Sequence, residues 1–197
     1  ASGDQEIIDD VKKNGGNAIL TQNQHKTGTD RIFEVLQKID NSNIDLIMNL
    51  QGDEPTIDID DIKKLKNLMS EYKSELGTLG SKISDNKIFK NHNAVKVKTE
   101  KDLDNSNFPK ANNFMRKISS KNKNIYHHLG IYCYQKEILK KFVSLSQSPN
   151  EIKNRLEQLR ALDNGININV ALAKSSVKGV DTKADFVAIK KIMEYKS

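Results

Sequence analysis

Apolar residues recur at helical and at strand spacing by turns along almost the whole chain. Over residues 2–13, Ile7, Ile8 and Val11 share one face and Gly15-Gly16 supplies a stop, which predicts a helix. A short strand is predicted at 17–20. Ile32, Phe33, Val35, Leu36 and Ile39 then mark a helix over 29–39. The run 45–50 is apolar enough for one buried strand, and Ile59, Ile62, Leu65, Leu68 and Tyr72 follow at helical spacing. Strands are predicted at 78–83, 94–98, 111–115, 127–134 and 168–173, and helices at 136–145, 151–162 and 183–195. Alternating strands and helices predict an α/β fold, with a mainly parallel or mixed sheet flanked by helices. Nothing repeats internally. The Asn/Lys/Ser-rich stretch 117–124 is expected to be a loop rather than a boundary between domains.

Composition narrows the function classes. The chain has 197 residues, one domain's worth, with 36% hydrophobic and 29% charged residues. It has no apolar run of membrane-spanning length and no secretory or transit signature, so no membrane partner is expected. The single cysteine, Cys133, lies in the apolar run 129–134, cannot form an internal disulfide and is expected in the core. A reducing, cytoplasmic location fits that usage. The net charge is +6, but the lysines are dispersed and no RNA-binding or Cys/His-finger signature occurs. Nucleic acid is therefore not expected as a partner, although the charge can draw in an anionic substrate.

Five polar segments are candidates for chemistry. The most informative is Gln51-Gly52-Asp53-Glu54-Pro55, an acidic, Gly-hinged loop directly after the buried strand. Ligands in open α/β sheets bind at strand carboxyl ends, and a carboxylate there can hold a divalent metal on nucleotide phosphates. By spacing alone the loop also reads as a solvated turn. Thr27-Gly28-Thr29-Asp30-Arg31 runs into a helix whose first N–H groups favour anions, and Thr27 or Thr29 is equally an ordinary N-cap. His127 and His128 are adjacent on a strand and so face opposite sides, which makes joint metal binding by the pair unexpected. Leu156-Glu157-Gln158-Leu159-Arg160 reads by itself as a helix face. In Gly179-Val180-Asp181-Thr182-Lys183-Ala184-Asp185, Thr182 and Asp185 form a capping box, and Asp181 is a candidate second metal ligand.

Together and in this order, the segments resemble the 3-deoxy-manno-octulosonate (Kdo) cytidylyltransferase family, the CMP-Kdo synthetases. The resemblance runs from Ala1 to about Lys191. Segments 51–55, 128–132, 156–160 and 180–182 match the family motifs residue for residue, and 27–31 matches a segment that usually opens with Ser. It implies a nucleotide-diphospho-sugar transferase-like, Rossmann-like fold in a single cytidylyltransferase domain over 1–197. The implied reaction is attack of the sugar acid's 2-hydroxyl on the α-phosphorus of CTP, giving CMP-Kdo and pyrophosphate for the inner core of lipopolysaccharide. By the same resemblance Asp53 and Asp181 hold Mg²⁺. Gln51, Arg116, His128, Glu157 and Gln158 line the sugar pocket, with Arg116 for the carboxylate. Thr27, Gly28, Thr29 and Arg31 meet the nucleotide, and a homodimer is expected. Alternatives are a cytidylyltransferase for sialic acid or an amino-Kdo sugar, a degenerate paralogue, or a non-catalytic polyanion-binding module.

The chain also departs from the family. It opens at Ala1 straight onto a helix start, without the leading strand and basic nucleotide-binding loop, so the domain is expected to lack its N-terminal part and these residues alone to be nearly inactive. Asn112-Asn113-Phe114-Met115-Arg116 replaces a more aromatic, Ser-containing stretch, and Asn150 and Asn154 stand where Leu and Glu are usual.

Overall fold

The computed structural model describes residues 1–83, 88–89, 91–118, 123–174, 179–180 and 182–194, apart from the side chains of 184 and 192–194. In chain order the elements are α1 (Gln5–Lys13), α2 (Gly28–Lys38), β1 (Leu46–Asn49), α3 (Ile59–Tyr72), β2 (Leu76–Ser81), β3 (Lys96–Thr99), β4 (Ala111–Met115) and β5 (Ile125–Gln135). After β5 come α4 (Lys136–Ser144), α5 (Pro149–Asn154), α6 (Leu159–Asp163), β6 (Ile168–Leu172) and α7 (Lys183–Glu194). Local chemistry sets most of the helix ends. Asp4, Thr27, Asp58 and Ser148 each accept a backbone N–H at the start of α1, α2, α3 and α5. Thr182 and Asp185 form the reciprocal bonds of the expected capping box ahead of α7.

The strands form one six-stranded mixed sheet, ordered β4-β3-β5-β2-β6, with β1 also paired to β5. Only β2 and β6 pair in parallel among the described strands; every other pairing is antiparallel. The expectation of a mainly parallel sheet is thus corrected toward its mixed alternative. β1, β2, β3 and β6 do point the same way, but the eleven-residue β5 runs against them and lies between β2 and the other two partners. Helix-strand alternation in sequence reports the direction of each strand, not which strands become hydrogen-bonded neighbours.

Side chains of β5 alternate between two cores. Tyr126 and Tyr134 join Val97, Phe114, Leu139 and Phe142 on one face. Leu129, Ile131 and Cys133 join Leu65, Leu68 and Met69 of α3 on the other. Each such fully buried apolar side chain contributes roughly 1.5–3 kcal/mol. α3 lies close to β2 because Gly77 has no side chain; a Cβ there would stand 2.6 Å from Met69 Sδ and 2.9 Å from Phe108 Cζ. Cys133 is buried as expected, and burial pushes its thiol up to about 12, which makes it unreactive.

Two predicted elements differ. The strand expected at 17–20 is a single bridge between Ser2 and Leu20, because Asp4 turns its partner into α1 one residue later. The helix expected at 151–162 is two short helices. Arg155 adopts the left-handed conformation at φ 52° and donates its N–H to Glu151 O, closing α5. Of the loop expected at 117–124, residues 119–122 lie outside those described.

Candidate active site

β5 does not have a strand along the whole of its second edge. β3 pairs with residues 125–127, the His128 N–H donates to Val95 O just ahead of β3 at 2.9 Å, and β1 pairs with residues 132–135, leaving a gap at Leu129–Ile131. The acidic loop after β1 enters that gap. The Gly130 N–H, which a strand would otherwise bond, donates to Glu54 Oε1 at 3.2 Å. The loop turns on itself through Glu54 N–H to Gln51 O at 3.2 Å, and Gln51 Nε2 donates to Asn49 Oδ1 at 3.1 Å. The loop leaves the carboxyl end of β1, and strand carboxyl ends are where open α/β sheets place ligands.

The start of α2 meets this loop. A Cβ on Gly28 would lie 3.7 Å from Gln51 Nε2, so the helix N-terminus sits against Gln51. Thr27 is the N-cap, its hydroxyl accepting from Asp30 N–H at 3.2 Å. The buried Thr29 instead donates to Glu157 Oε2 at 3.1 Å, joining the α2 loop to the turn between α5 and α6. Gly28, Thr29, Gln51, Glu54, Gly130 and Glu157 therefore converge from four segments. Burial pushes the Glu157 carboxyl up, against the hydroxyls of Thr27 and Thr29 and the Arg160 charge. Burial, with the Glu157 and Glu54 charges among the further causes, likewise raises Tyr132 well above its ordinary value.

Asp53 stands exposed at the lip of the loop. Its carbonyl accepts from Val180 N–H at 2.8 Å, which brings the segment leading to Asp181 against the acidic loop. Asp181 itself lies outside the described residues. A cavity of about 670 Å³ opens here, walled by Gly52, Asp53 and Pro55 on one side and by Val180, Phe186 and Ile189 on the other.

The matching family model, that of the cytidylyltransferases, covers residues 1–168. The chain belongs to the cytidylyltransferase family. It is 38% identical over 187 residues to the 3-deoxy-manno-octulosonate cytidylyltransferase of Brucella canis, covering 94% of this chain and 74% of that protein. A solved CMP:2-keto-3-deoxy-manno-octonic acid synthetase complexed with CTP superimposes with a TM-score of 0.85 at 32% identity, over 98% of this chain and 79% of the other. The 4-diphosphocytidyl-2C-methyl-D-erythritol synthase of Anaerococcus prevotii, at 16% identity and a TM-score of 0.60 over 97% of this chain and 77% of the other, shares the fold alone.

In this cytidylyltransferase the remaining residues singled out in the sequence are held as follows. His128 is buried and neutral, since burial and the neighbouring His127 lower it to about 3. Its ring is edge-on to Phe114, centroids 5.0 Å apart, and tilted against Tyr132. Gln158 is buried at the start of α6. Two arginines hold protein groups here. Arg31 donates to the Thr21 hydroxyl and, at 3.0 Å, to Gln22 O. Arg116 donates to the carbonyls of Asn154 and Arg155 at 3.2 and 3.1 Å, and to those of His92 and Asn93 at 3.4 Å.

Sequence reasoning missed several supports. Glu151 and Arg160 form a buried bidentate pair bracketing the Glu157 turn, with oxygen–nitrogen distances of 2.8 and 2.6 Å. The Ser148-to-Glu151 spacing is a visible capping-box signal, but the Arg160 partner depends on the end of α5 at the left-handed Arg155. Lys96 is fully buried and donates to Asn91 O and Arg116 O, with burial and the Arg116 charge lowering its pKa. No local sequence signal marks it.

Proposed function

We propose that this chain transfers CMP from CTP to 3-deoxy-manno-octulosonate, releasing pyrophosphate. The observation that carries this reading is the meeting of the Gly28–Thr29 loop, the Gln51–Glu54 loop and Glu157 at the gap in β5, in a chain so like a CMP-Kdo synthetase along its length. The N-terminus of α2 and the hydroxyls of Thr27 and Thr29 receive the cytidine and phosphate side of CTP. Gln51, His128, Glu157 and Gln158 receive the sugar hydroxyls. Arg116 takes the sugar carboxylate by giving up its two 3.4 Å carbonyl contacts, the longest of its four.

Asp53 fits a divalent cation: it is a solvent-facing carboxylate whose backbone is tied to the segment leading to Asp181. We assign Mg²⁺ to Asp53 and Asp181, the remaining oxygens coming from phosphate and water. When bound, it neutralises triphosphate charge and helps lower the pKa of the attacking 2-hydroxyl. The protein's own contribution is to place that hydroxyl in line with the α-phosphorus and to exclude water. The same reading makes the protein a cytoplasmic homodimer that supplies activated Kdo for the lipopolysaccharide inner core.

The test is pyrophosphate release by the full-length protein from CTP with Mg²⁺ and Kdo. Kdo-dependent release should fall by about 10²–10³-fold in Asp53→Ala, and Asp53→Asn should weaken Mn²⁺ binding, followed by water-proton relaxation in the presence of CTP. Release with sialic acid but not Kdo would reassign the sugar. No release with any acidic sugar from the folded protein would overturn the reaction.

A further inference from the structure

At the centre of β2 the register against β5 slips between Thr78 and Leu79. The slip turns the Thr78 hydroxyl onto β5, where its side chain, wholly buried, meets three groups. Oγ1 lies 2.7 Å from Ile131 O, 3.2 Å from Leu129 O and 3.0 Å from His128 Nε2.

A hydroxyl has one hydrogen and two lone pairs. Carbonyl oxygens only accept, so a bond to either carbonyl requires that hydrogen. Directing it to His128 instead would leave oxygen lone pairs facing each other at 2.7 Å in a buried place, where unsatisfied acceptors are costly. The hydrogen therefore goes to Ile131 O, by far the shorter carbonyl contact. The contact with His128 is then a bond only if Nε2 carries the ring proton and donates it. The ring is neutral and sandwiched, edge-on to Phe114 and tilted on Tyr132, so one tautomer in one orientation remains. Its Nδ1 is left as an acceptor, and no hydrogen bond reaches it among the described residues.

We propose that Thr78 is a positioning residue that holds His128 as the Nε2–H tautomer and so presents Nδ1 as the acceptor for one hydroxyl of the sugar acid. The sugar half of this statement rests on the reading that His128 lines the sugar pocket; the tautomer half does not. Thr78 touches no substrate. It acts by denying His128 the alternative tautomer, in which Nδ1 would donate and could not receive a sugar O–H.

The experiment is ¹⁵N NMR of histidine-labelled full-length protein, which separates pyrrole-type from pyridine-type ring nitrogens, combined with steady-state kinetics. His128 should show a pyrrole-type Nε2 and a pyridine-type Nδ1 in the wild type and in Thr78→Ser, which keeps the hydroxyl. Thr78→Val should give mixed or reversed tautomers and raise KM for the sugar acid about three- to tenfold. Its KM for CTP should not change. A pyrrole-type Nδ1 in the wild type overturns the proposal without any variant having to fold, as does an unchanged tautomer in a folded Thr78→Val. Expected tautomers with an unchanged sugar KM overturn the acceptor role. Absence of any sugar-dependent turnover, with the tautomer as expected, overturns the functional reading instead.

Discussion

Replacing Arg160 by Met removes the partner of a buried carboxylate and tests what holds the turn that carries Glu157. Glu151 and Arg160 are 3% and 4% exposed, so neither charge is relieved by water. The Glu151 carboxylate accepts from Arg160 Nε at 2.8 Å, Arg160 Nη2 at 2.6 Å, Ser148 N–H at 3.1 Å and Gln147 Nε2 at 3.2 Å. The variant keeps only the two longer bonds. It also loses the guanidinium over Phe142, 4.7 Å from the ring centroid. Breaking one side of a buried pair costs about 3–5 kcal/mol, whereas exposed pairs give about 0–1 kcal/mol. At a urea m-value of roughly 2 kcal/mol/M, the midpoint should fall by about 1.5–2.5 M.

Acidification adds a second signature. Burial pushes the Glu151 carboxyl up, but the bonds from Arg160, Gln147 and Ser148 outweigh it and hold the group below 4.5. A carboxyl lowered on folding stabilises above its unfolded pKa, and that stability is lost as pH falls through the folded value. In Arg160→Met the main opposing bond is gone and Glu151 takes its proton at higher pH. The gap between the proteins should therefore narrow from pH 7 to pH 4. Equilibrium urea unfolding followed by circular dichroism measures both. Adding Glu151→Gln should restore part of the loss by removing the unpaired charge. A deficit below about 1 kcal/mol at pH 7 in the single variant would show that water reaches the pair and refute the reasoning.

The buried His128 makes the opposite contribution to pH dependence from an imidazole whose pKa an acidic partner raises on folding. Its folded pKa of about 3 lies below the unfolded 6.5, so stability is full above 6.5 and falls on acidification. Between pH 6.5 and 5 the wild type should lose about 1.5 kcal/mol more than His128→Gln by urea titration; parallel loss in the two proteins would contradict a neutral buried ring. Gly77→Ala forces a methyl against Met69, Phe108 and Leu65. It should cost about 1–3 kcal/mol in the same assay, and an unchanged midpoint would mean that α3 can withdraw from the sheet freely.

Much of the site could be read in the sequence because its motifs are contiguous. The acidic loop, the Thr27 cap, the Thr182–Asp185 box and the stretch around Glu157 each lie within a few residues, so local spacing marks them. The strands at 45–50 and 168–173 and the amphipathic faces of α2 and α3 were legible for the same reason: a period of two or 3.6 is a local property. The burial expected of 45–50 was not, since β1 pairs with β5 alone and leaves Leu46, Ile47 and Met48 half-buried and Leu50 exposed. The failures share the opposite character. The 17–20 strand had too little partner and the 151–162 helix broke where Arg155 could close α5 on Glu151 O, while the choice between the two expected sheet types, mainly parallel or mixed, fell to where β5 inserted itself.

By itself, then, the sequence determined the elements, their faces, the class of fold and the family-like motifs, all of which depend on residues close together along the chain. Tertiary structure alone decided that β5 runs out of strand partners at Gly130 and that Glu54 takes its amide. It also decided that Thr29 reaches across 128 positions to Glu157, and that Thr78 settles which nitrogen of His128 is protonated. The physical reason is that hydrogen bonds and buried charges are satisfied by whatever group is near in space. Which group that is follows from strand order and register, which no local period encodes.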